Sequence, residues 1–97
     1  MTPRDTRIAL QSGEWALREG VRRKPPEPPA EWPEYRRSRM RVAVRCALAF
    51  LGGKSYDEIS GKPEGCILRP MTKARVGQYI KKGTDFLWEM GCFLKAR

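Results

Sequence analysis

The stretch SYDEISGKPEGCILRPMTKARVGQYIKK, residues 55–82, contains two helix starts that can be read from the sequence alone. Ser55 and Glu58 match the S-x-x-E capping box, in which each side chain accepts a hydrogen bond from the backbone N–H of the other residue. This pattern fixes the start of a short helix to within about a residue. Gly61 is expected to end that helix.

The second helix start is Thr72. Met71 precedes it and Val76 occupies the fourth helical position, which is the spacing of a hydrophobic staple. The predicted helix, residues 73–94, has a continuous apolar stripe on one side. That stripe consists of Val76, Tyr79, Ile80, Gly83, Phe86, Leu87, Met90 and Leu94. Two marked helix starts, the second opening a basic helix, indicate a helix-turn-helix arrangement.

The two glycines of this last helix are expected to act differently. Gly77 falls on the polar side, where a missing side chain would admit a backbone or a base edge. Gly83 falls on the apolar stripe and favours close packing against another helix. Downstream, residues 86–97 are more apolar than a small domain needs, so they either form a dimer interface or cover the preceding arginine-bearing helix.

An arginine-rich helix is predicted upstream, over residues 34–51, and Gly52 follows its last periodic residue. Its polar face contains Arg36, Arg37, Arg39, Arg41 and Arg45. Arginines in the first turns oppose the helix macrodipole. Contact with phosphate groups is one benefit that would offset this, and a solvated charged face is the alternative.

The first third of the chain is predicted to be an arm rather than part of the bundle, which divides the chain into residues 1–33 and 34–97. Residues 6–23 form either a marginal helix or a disordered segment. The basic residues at their end either follow phosphates or are simply solvated. Residues 25–33, PPEPPAEWP, form an extended linker, in which Trp32 packs on the domain or anchors a partner.

The charge of the chain favours a polyanionic partner. It has 20 Lys and Arg against 11 Asp and Glu, a formal net charge of +9, and a sequence pI near 10.0. Nucleic acid is the first candidate, a membrane surface the second, and a merely basic soluble protein the third. No apolar run approaches the length of a membrane span, so we expect a cytoplasmic protein without a membrane partner.

The residue types do not favour catalysis. The sequence has no histidine, no glycine-rich phosphate loop followed by Lys-Ser/Thr, and no recognisable pair of carboxylates. The three cysteines are too far apart for a zinc site, so we expect reduced thiols, no metal and no cofactor. Cys66, with Lys62 and Arg69 nearby in sequence, is a thin basis for a nucleophile. We therefore expect a protein that is not an enzyme.

DNA binding accounts for more of the sequence. A recognition helix needs an apolar face docked on its domain and polar N-terminal turns that are free to enter the major groove. Lys73 or Arg75 would pair with guanine, and Gln78 would pair with adenine. Thr72 would touch a phosphate. The remaining positioning contacts are assigned to Arg36, Arg37, Arg39, Arg41, Lys54, Lys81 and Lys82.

Residues 41–87 resemble the helix-turn-helix of sigma-factor region 4 and of related response-regulator output domains. The matching positions are Gly53, Ser55, Tyr56, Glu58 and Ile59 in the first helix and Thr72, Val76, Tyr79, Ile80 and Leu87 in the second. The resemblance implies a tri-helical DNA-binding domain with base contacts from Lys73, Arg75 and Gln78, and with Lys81 as a fourth candidate. The turn of about ten residues is longer than the family's three or four. It is either an inserted loop that keeps the helices in place or a sign that they are not juxtaposed.

The sequence thus predicts an all-α, helix-turn-helix-like bundle with a long C-terminal helix and a proline-rich N-terminal arm. Its expected function is sequence-specific binding of double-stranded DNA as a transcriptional regulator, dimeric through the C-terminal helix. Its size would suit a phage or mobile-element regulator. The alternative is a small basic protein that binds and modulates a larger complex, such as RNA polymerase or a nuclease, with Trp32, Trp88 and Phe93 as anchors.

Overall fold

The computed structural model describes residues 1–61 and 72–96 of the 97-residue chain. Within these ranges the protein is mostly helical, with one small antiparallel sheet. In chain order the elements are α1 (Pro3–Gln11), β1 (Trp15–Leu17), α2 (Glu34–Leu51), α3 (Tyr56–Gly61), α4 (Lys73–Glu89) and β2 (Phe93–Lys95). The predicted helical fold class is therefore confirmed, and the pair of strands is a feature that the sequence pattern did not predict.

The centre of the fold is the contact between α2 and α4, which is the most extensive contact between two elements. Val44, Ala47, Ile80 and Leu87 are buried there. Gly83 lies against α2 so closely that an added Cβ would overlap the carbonyl oxygen of Ala43. The predicted role of this glycine in close helix packing is confirmed.

Helices α3 and α4 begin at the capping residues that the sequence predicted. The Ser55 N–H donates to Glu58 Oε1 at 3.0 Å, and the Glu58 N–H donates to Ser55 Oγ at 3.2 Å. The hydrogen bond from the Ser55 backbone, followed by that from the Ser55 side chain, lowers the pKa of Glu58. Thr72 caps α4, because its Oγ1 accepts the Arg75 N–H at 3.2 Å. The proposed staple partner Met71 and the loop around Cys66 lie outside the described residues.

Helices α2 and α4 end in the same way. After α2, Gly53 has a φ of +111°, and the Lys54 N–H donates to the Ala49 carbonyl at 3.1 Å. After α4, Gly91 has a φ of +68°, and the Cys92 N–H donates to the Leu87 carbonyl at 3.0 Å. Both are Schellman endings, in which a left-handed residue closes the last turn.

The prediction that the last helix continues to residue 94 is wrong, because the chain reverses at Gly91 and Leu94 lies in β2. Burial also differs at the end of the predicted apolar stripe. Met90 and Leu94 are exposed, whereas Val76, Ile80 and Leu87 are completely buried. The stripe therefore serves as a packing surface only along α4 itself.

The strand after α4 joins the beginning of the chain. β1 and β2 are antiparallel, with Leu17 opposite Phe93. Trp88 lies beside this sheet, with its ring centroid 4.9 Å from that of Trp15 and 4.3 Å from that of Phe93. Its Nε1–H donates to the Oγ1 of Thr6, a fully buried residue of α1, at 3.1 Å. These contacts hold α1 and β1 against the C-terminal part of α4.

The rest of the first 33 residues also contacts the bundle. Val21 belongs to the buried core, and Trp32 packs partly buried against it, with its ring centroid 6.4 Å from that of Phe86. The expectation that Trp32 packs on the domain is confirmed. The division of the chain at residue 33 stays a prediction, although contacts of Trp32 and Val21 cross it.

Candidate nucleic-acid interface

Helix α4 presents its basic N-terminal turns to solvent. Thr72, Lys73, Ala74 and Arg75 are all exposed, and the exposed side continues along the helix through Gln78. The apolar side of α4 is buried in the core. This is the division between a docked face and an open face that the sequence predicted.

One edge of the exposed side forms a cleft with α2. The cleft has a volume of about 110 Å³, and it is lined by Arg39 of α2 and by Arg75, Gln78, Tyr79 and Lys82 of α4. We refer to it as the basic cleft. It collects four of the predicted DNA-binding residues, and they come from two helices. The other seven do not line it: Thr72, Lys73, Lys81, Arg36, Arg37, Arg41 and Lys54.

The basic cleft concentrates positive charge. Three of its five lining residues are cationic and none is acidic. In the part of the chain that the structure describes, no carboxylate lies within ion-pairing distance of Arg39, Arg75 or Lys82. The Arg75 guanidinium lies 5.8 Å from the centroid of the Tyr79 ring. Like charges that converge without a counter-charge create a potential that attracts an anion.

The other predicted arginines of α2 have partners within the chain. Arg37 Nη2 lies 2.7 Å from a carboxylate oxygen of Glu34. Arg41 bonds to Glu27 at 3.2 Å and to Glu34 at 3.3 Å. The hydrogen bond to Glu27, followed by that to Glu34, raises the pKa of Arg41. A phosphate would have to compete with these carboxylates.

Arg36 has an aromatic partner instead. Its guanidinium carbon lies 3.8 Å from the centroid of the Trp32 ring. A guanidinium stacked on an aromatic face can still donate hydrogen bonds outward, because its N–H groups lie in the plane of the stack. Arg36 therefore stays accessible to a phosphate, but outside the basic cleft.

Two lysines of α4 are also paired. Lys73 Nζ lies 2.8 Å from Asp57 of α3, and Lys81 Nζ lies 3.1 Å from Asp85 one turn along α4. All four side chains are about half or more exposed. Exposed pairs of this kind are weak, about 0–1 kcal/mol, so both lysines can exchange their carboxylate for another anion.

Thr72 and Lys54 were also predicted to contact DNA. The Oγ1 of Thr72 accepts the capping bond, and its O–H is still able to donate to a phosphate. Lys54 lies between α2 and α3, is half-buried and makes contacts of its own. Neither residue lines the basic cleft.

Gly77 does not provide the opening for a base edge that its position on the polar side predicted. A Cβ at Gly77 would lie 3.3 Å from Cε2 of Tyr56, so the space beside this glycine is filled by α3. Tyr56 in turn meets Phe50 edge-on, with ring centroids 5.5 Å apart. The glycine thus lets α3 pack close to the first half of α4.

Several basic residues near the N-terminus have structural roles. Arg22 Nη1 donates to the Leu48 carbonyl at 3.0 Å, and Arg7 Nη2 donates to the Gly53 carbonyl at 3.1 Å. Both carbonyls lie at or just beyond the end of α2, where the helix dipole favours cations. For Arg22, neither prediction for the basic tail, phosphate contact or simple solvation, describes what the side chain does.

Sequence reasoning missed two features of the site. It placed Tyr79 in the apolar stripe, and the residue does pack half-buried against the core, but it also lines the basic cleft, which was not predicted. The four-residue spacing of Arg75 and Tyr79 was the available signal, because such pairs are neighbours on a helix. It also overlooked Asp85, although its spacing from Lys81 predicts an ion pair.

Comparison with known proteins gives no family assignment: no protein-family model, no curated protein and no solved structure matches the chain. The properties of the site therefore rest on its own residues. Within residues 1–61 and 72–96, no three His, Cys, Asp or Glu side chains are grouped so that they could hold a metal ion. No helix in those ranges is both long and apolar enough to cross a membrane.

Proposed function

We propose that this protein is a sequence-specific DNA-binding transcriptional regulator that places α4 in the major groove of double-stranded DNA. The observation that carries the proposal is the two-sided character of α4. Its apolar side is buried in the core, and its first two turns expose Lys73, Arg75 and Gln78. A groove-reading helix requires this combination of a docked side and an open polar side.

The position of α3 supports a helix-turn-helix-like arrangement as the finer description of the fold. α3 contacts the first half of α4 through Tyr56 at Gly77 and through the ion pair between Asp57 and Lys73. In a helix-turn-helix the first helix packs across the start of the second and braces it on the DNA backbone. The resemblance to sigma-factor region 4 agrees with this arrangement and remains a proposal.

The net charge of +9 supports a nucleic-acid partner more than a protein partner. The aromatic residues suggested as anchors for a protein partner pack against other residues of this protein. Trp88 and Phe93 pack on each other, and Trp32 packs beside Phe86. The apolar side chains that prompted the dimer prediction are largely in the same core, with Met90 and Leu94 as the exposed exceptions.

Fluorescence anisotropy with a labelled random-sequence duplex across a salt series tests DNA binding. We expect affinity to fall steeply with salt, because each neutralised phosphate adds about 0.9 to the logarithmic slope. The double variant Arg75→Ala/Lys82→Ala should bind at least about tenfold more weakly. Its matched control is Arg4→Ala/Arg23→Ala, which removes the same charge from exposed positions outside the cleft.

The control variant should lose only about twofold, through net charge. Equal losses in the two double variants, or no salt-dependent binding by the wild type, would overturn the proposal. Selection from a random duplex library then tests sequence preference. A protein that binds all sequences equally is not a sequence-specific regulator, and capture of a protein partner such as RNA polymerase would become the next experiment.

A further inference from the structure

The basic cleft has a composition that a base-reading surface does not require. Its cations come from both sides: Arg39 from α2, and Arg75 and Lys82 from α4. A base edge in the major groove is met by side chains that extend from a single helix or ribbon. A phosphate group, in contrast, carries its charge on several oxygens and is bound well by cations that approach from different directions.

We infer that the basic cleft is the binding site for a single phosphate group of the DNA backbone, which Arg39, Arg75 and Lys82 contact together. We call this site the phosphate seat. The inference rests on the proposed DNA-binding function and refines it. It assigns Arg75 to the backbone rather than to guanine, and it leaves Gln78 and Lys73 as the base-reading residues of α4.

The cleft also contains a suitable uncharged donor, because Tyr79 lines it and has a phenolic O–H. Such side chains commonly donate to phosphate oxygens beside Arg and Lys. The volume of about 110 Å³ is large enough for one phosphate group. No acidic side chain lines the cleft, so no carboxylate there would have to be displaced.

The arrangement fixes α4 relative to the duplex. A phosphate held by side chains from two helices sets the position of α4 along the groove, because α2 and α4 are packed tightly against each other at Gly83. Contacts of this type define register without reading sequence. The seat would therefore determine which base pairs lie opposite Gln78.

The first test compares Arg39→Ala with Arg41→Ala. Both changes remove one arginine from α2, but Arg41 is paired with Glu27 and Glu34. Using anisotropy with duplex DNA, we expect Arg39→Ala to lower affinity about tenfold near 0.1 M salt and to reduce the salt slope by about 0.9. Arg41→Ala should change affinity by about twofold or less. Equal losses for the two variants would overturn the inference.

The second test asks what Arg75 recognises. Library selection with Arg75→Ala should give the same base preferences as the wild type at uniformly lower affinity, which is the behaviour of a phosphate contact. Gln78→Ala should instead relax the preference at one position. Relaxed preference in Arg75→Ala would mean that Arg75 reads a base and that the phosphate seat is wrong.

A third measurement separates this inference from the proposed function. Titration of isotope-labelled protein with inorganic phosphate should shift the Arg39 and Arg75 side-chain Nε–H resonances together, and Lys82→Ala should weaken that response. If phosphate binds in this way but duplex DNA does not, the proposed function fails and the assignment of the cleft to the DNA backbone fails with it, whereas the cleft is still shown to bind phosphate. If DNA binds but phosphate shifts neither arginine, and Arg39→Ala binds DNA like Arg41→Ala, only the seat fails.

Discussion

Helix α2 has a cleft on each of two sides, and the two clefts differ in what surrounds their arginines. The basic cleft contains Arg39 and no acidic side chain. The second, which we call the proline cleft, has a volume of about 50 Å³ and contains Arg41, Arg45 and Glu27 beside Pro25 and Pro26. Residues two apart on a helix point about 200° apart, so Arg39 and Arg41 enter different surroundings.

The comparison shows that the number of arginines on a helix does not measure how much positive charge it exposes without a carboxylate partner. From the sequence, phosphate contact was one benefit that would offset the unfavourable helix dipole at the arginines in the first turns of α2, and a solvated charged face was the alternative. Within the described residues, Glu34 and Glu27 already provide that compensation for Arg37 and Arg41. On the side of α2 that contributes to the basic cleft, Arg39 has no carboxylate of the described residues within ion-pairing distance.

The largest expected effect comes from Gly83→Ala, which would break the geometry of the basic cleft. The added methyl group meets the backbone of Ala43, so α2 and α4 must move apart. Overpacking of this kind costs about 1–3 kcal/mol, and a clash with backbone lies at the upper end. Urea unfolding should show a clear loss of stability, and anisotropy should show weaker DNA binding by the fraction that stays folded.

Gly77→Ala in the same helix is the matched control for Gly83→Ala. Its added methyl group meets only the edge of the Tyr56 ring, which can shift, and alanine favours a helix by about 1 kcal/mol over glycine. We expect stability within about 1 kcal/mol of the wild type. If the two variants were equally destabilised, close packing at Gly83 would not be what holds the two sides of the basic cleft together.

The second prediction contrasts neighbouring lysines. Lys82 lines the basic cleft, whereas Lys81 pairs with Asp85. Lys82→Ala should weaken DNA binding about tenfold at low salt, because it removes one phosphate contact. Lys81→Ala should cost about twofold, because Lys81 lies outside the cleft and its loss lowers only the net charge. Anisotropy at matched salt distinguishes them, and the reverse order would contradict the importance of the cleft.

The third prediction concerns a variant that removes a carboxylate from the proline cleft, so that this cleft resembles the basic cleft, which has none. Glu27→Gln removes one of the two carboxylates that hold Arg41. We expect DNA affinity to rise about twofold, because one weak surface ion pair is lost and the positive charge of Arg41 becomes more available to a phosphate group. The same salt series measures it. A decrease in affinity would show that the pairing of Arg41 orients it for DNA rather than withholding it.

The smallest effect concerns a carboxylate outside both clefts. Because its folded-state pKa is lowered, Glu58 contributes stability that is present above its ordinary pKa and lost as the pH falls through the lowered value. Thermal melts between about pH 2 and pH 6 should show this loss in the wild type and a smaller one in Glu58→Gln. DNA affinity at neutral pH should rise less in Glu58→Gln than in Glu27→Gln, because only the net charge changes.

Local signals predicted much of the bundle. The capping pair Ser55 and Glu58, the cap at Thr72 and the end of α2 before Gly52 occur where the sequence places them. Each depends on interactions within about five residues, so the local sequence is sufficient. The end of α4 also had a local signal, Gly91, but the apolar residues beyond it were interpreted as a continued stripe.

The basic cleft could not be predicted, because its parts are brought together by tertiary packing. Arg39 and Arg75 belong to different helices, and their proximity depends on how closely α2 and α4 approach at Gly83. The pairing of β1 with β2 was missed for the same reason. Each strand has only three residues, which is too short for an alternating pattern to be recognised.

The pairing of β1 with β2 has a consequence for the order in which the protein can be assembled during translation. Residues 18–92 separate the two strands, so β1 leaves the ribosome long before its partner exists. Until β2 emerges, the edge of β1 and the ring of Trp15 lack Leu94, Phe93 and Lys95, which cover them in the finished fold. Such long-range pairing slows folding relative to a simple helical bundle. A nascent chain halted before residue 93 would therefore present β1 as an unpaired strand to chaperones.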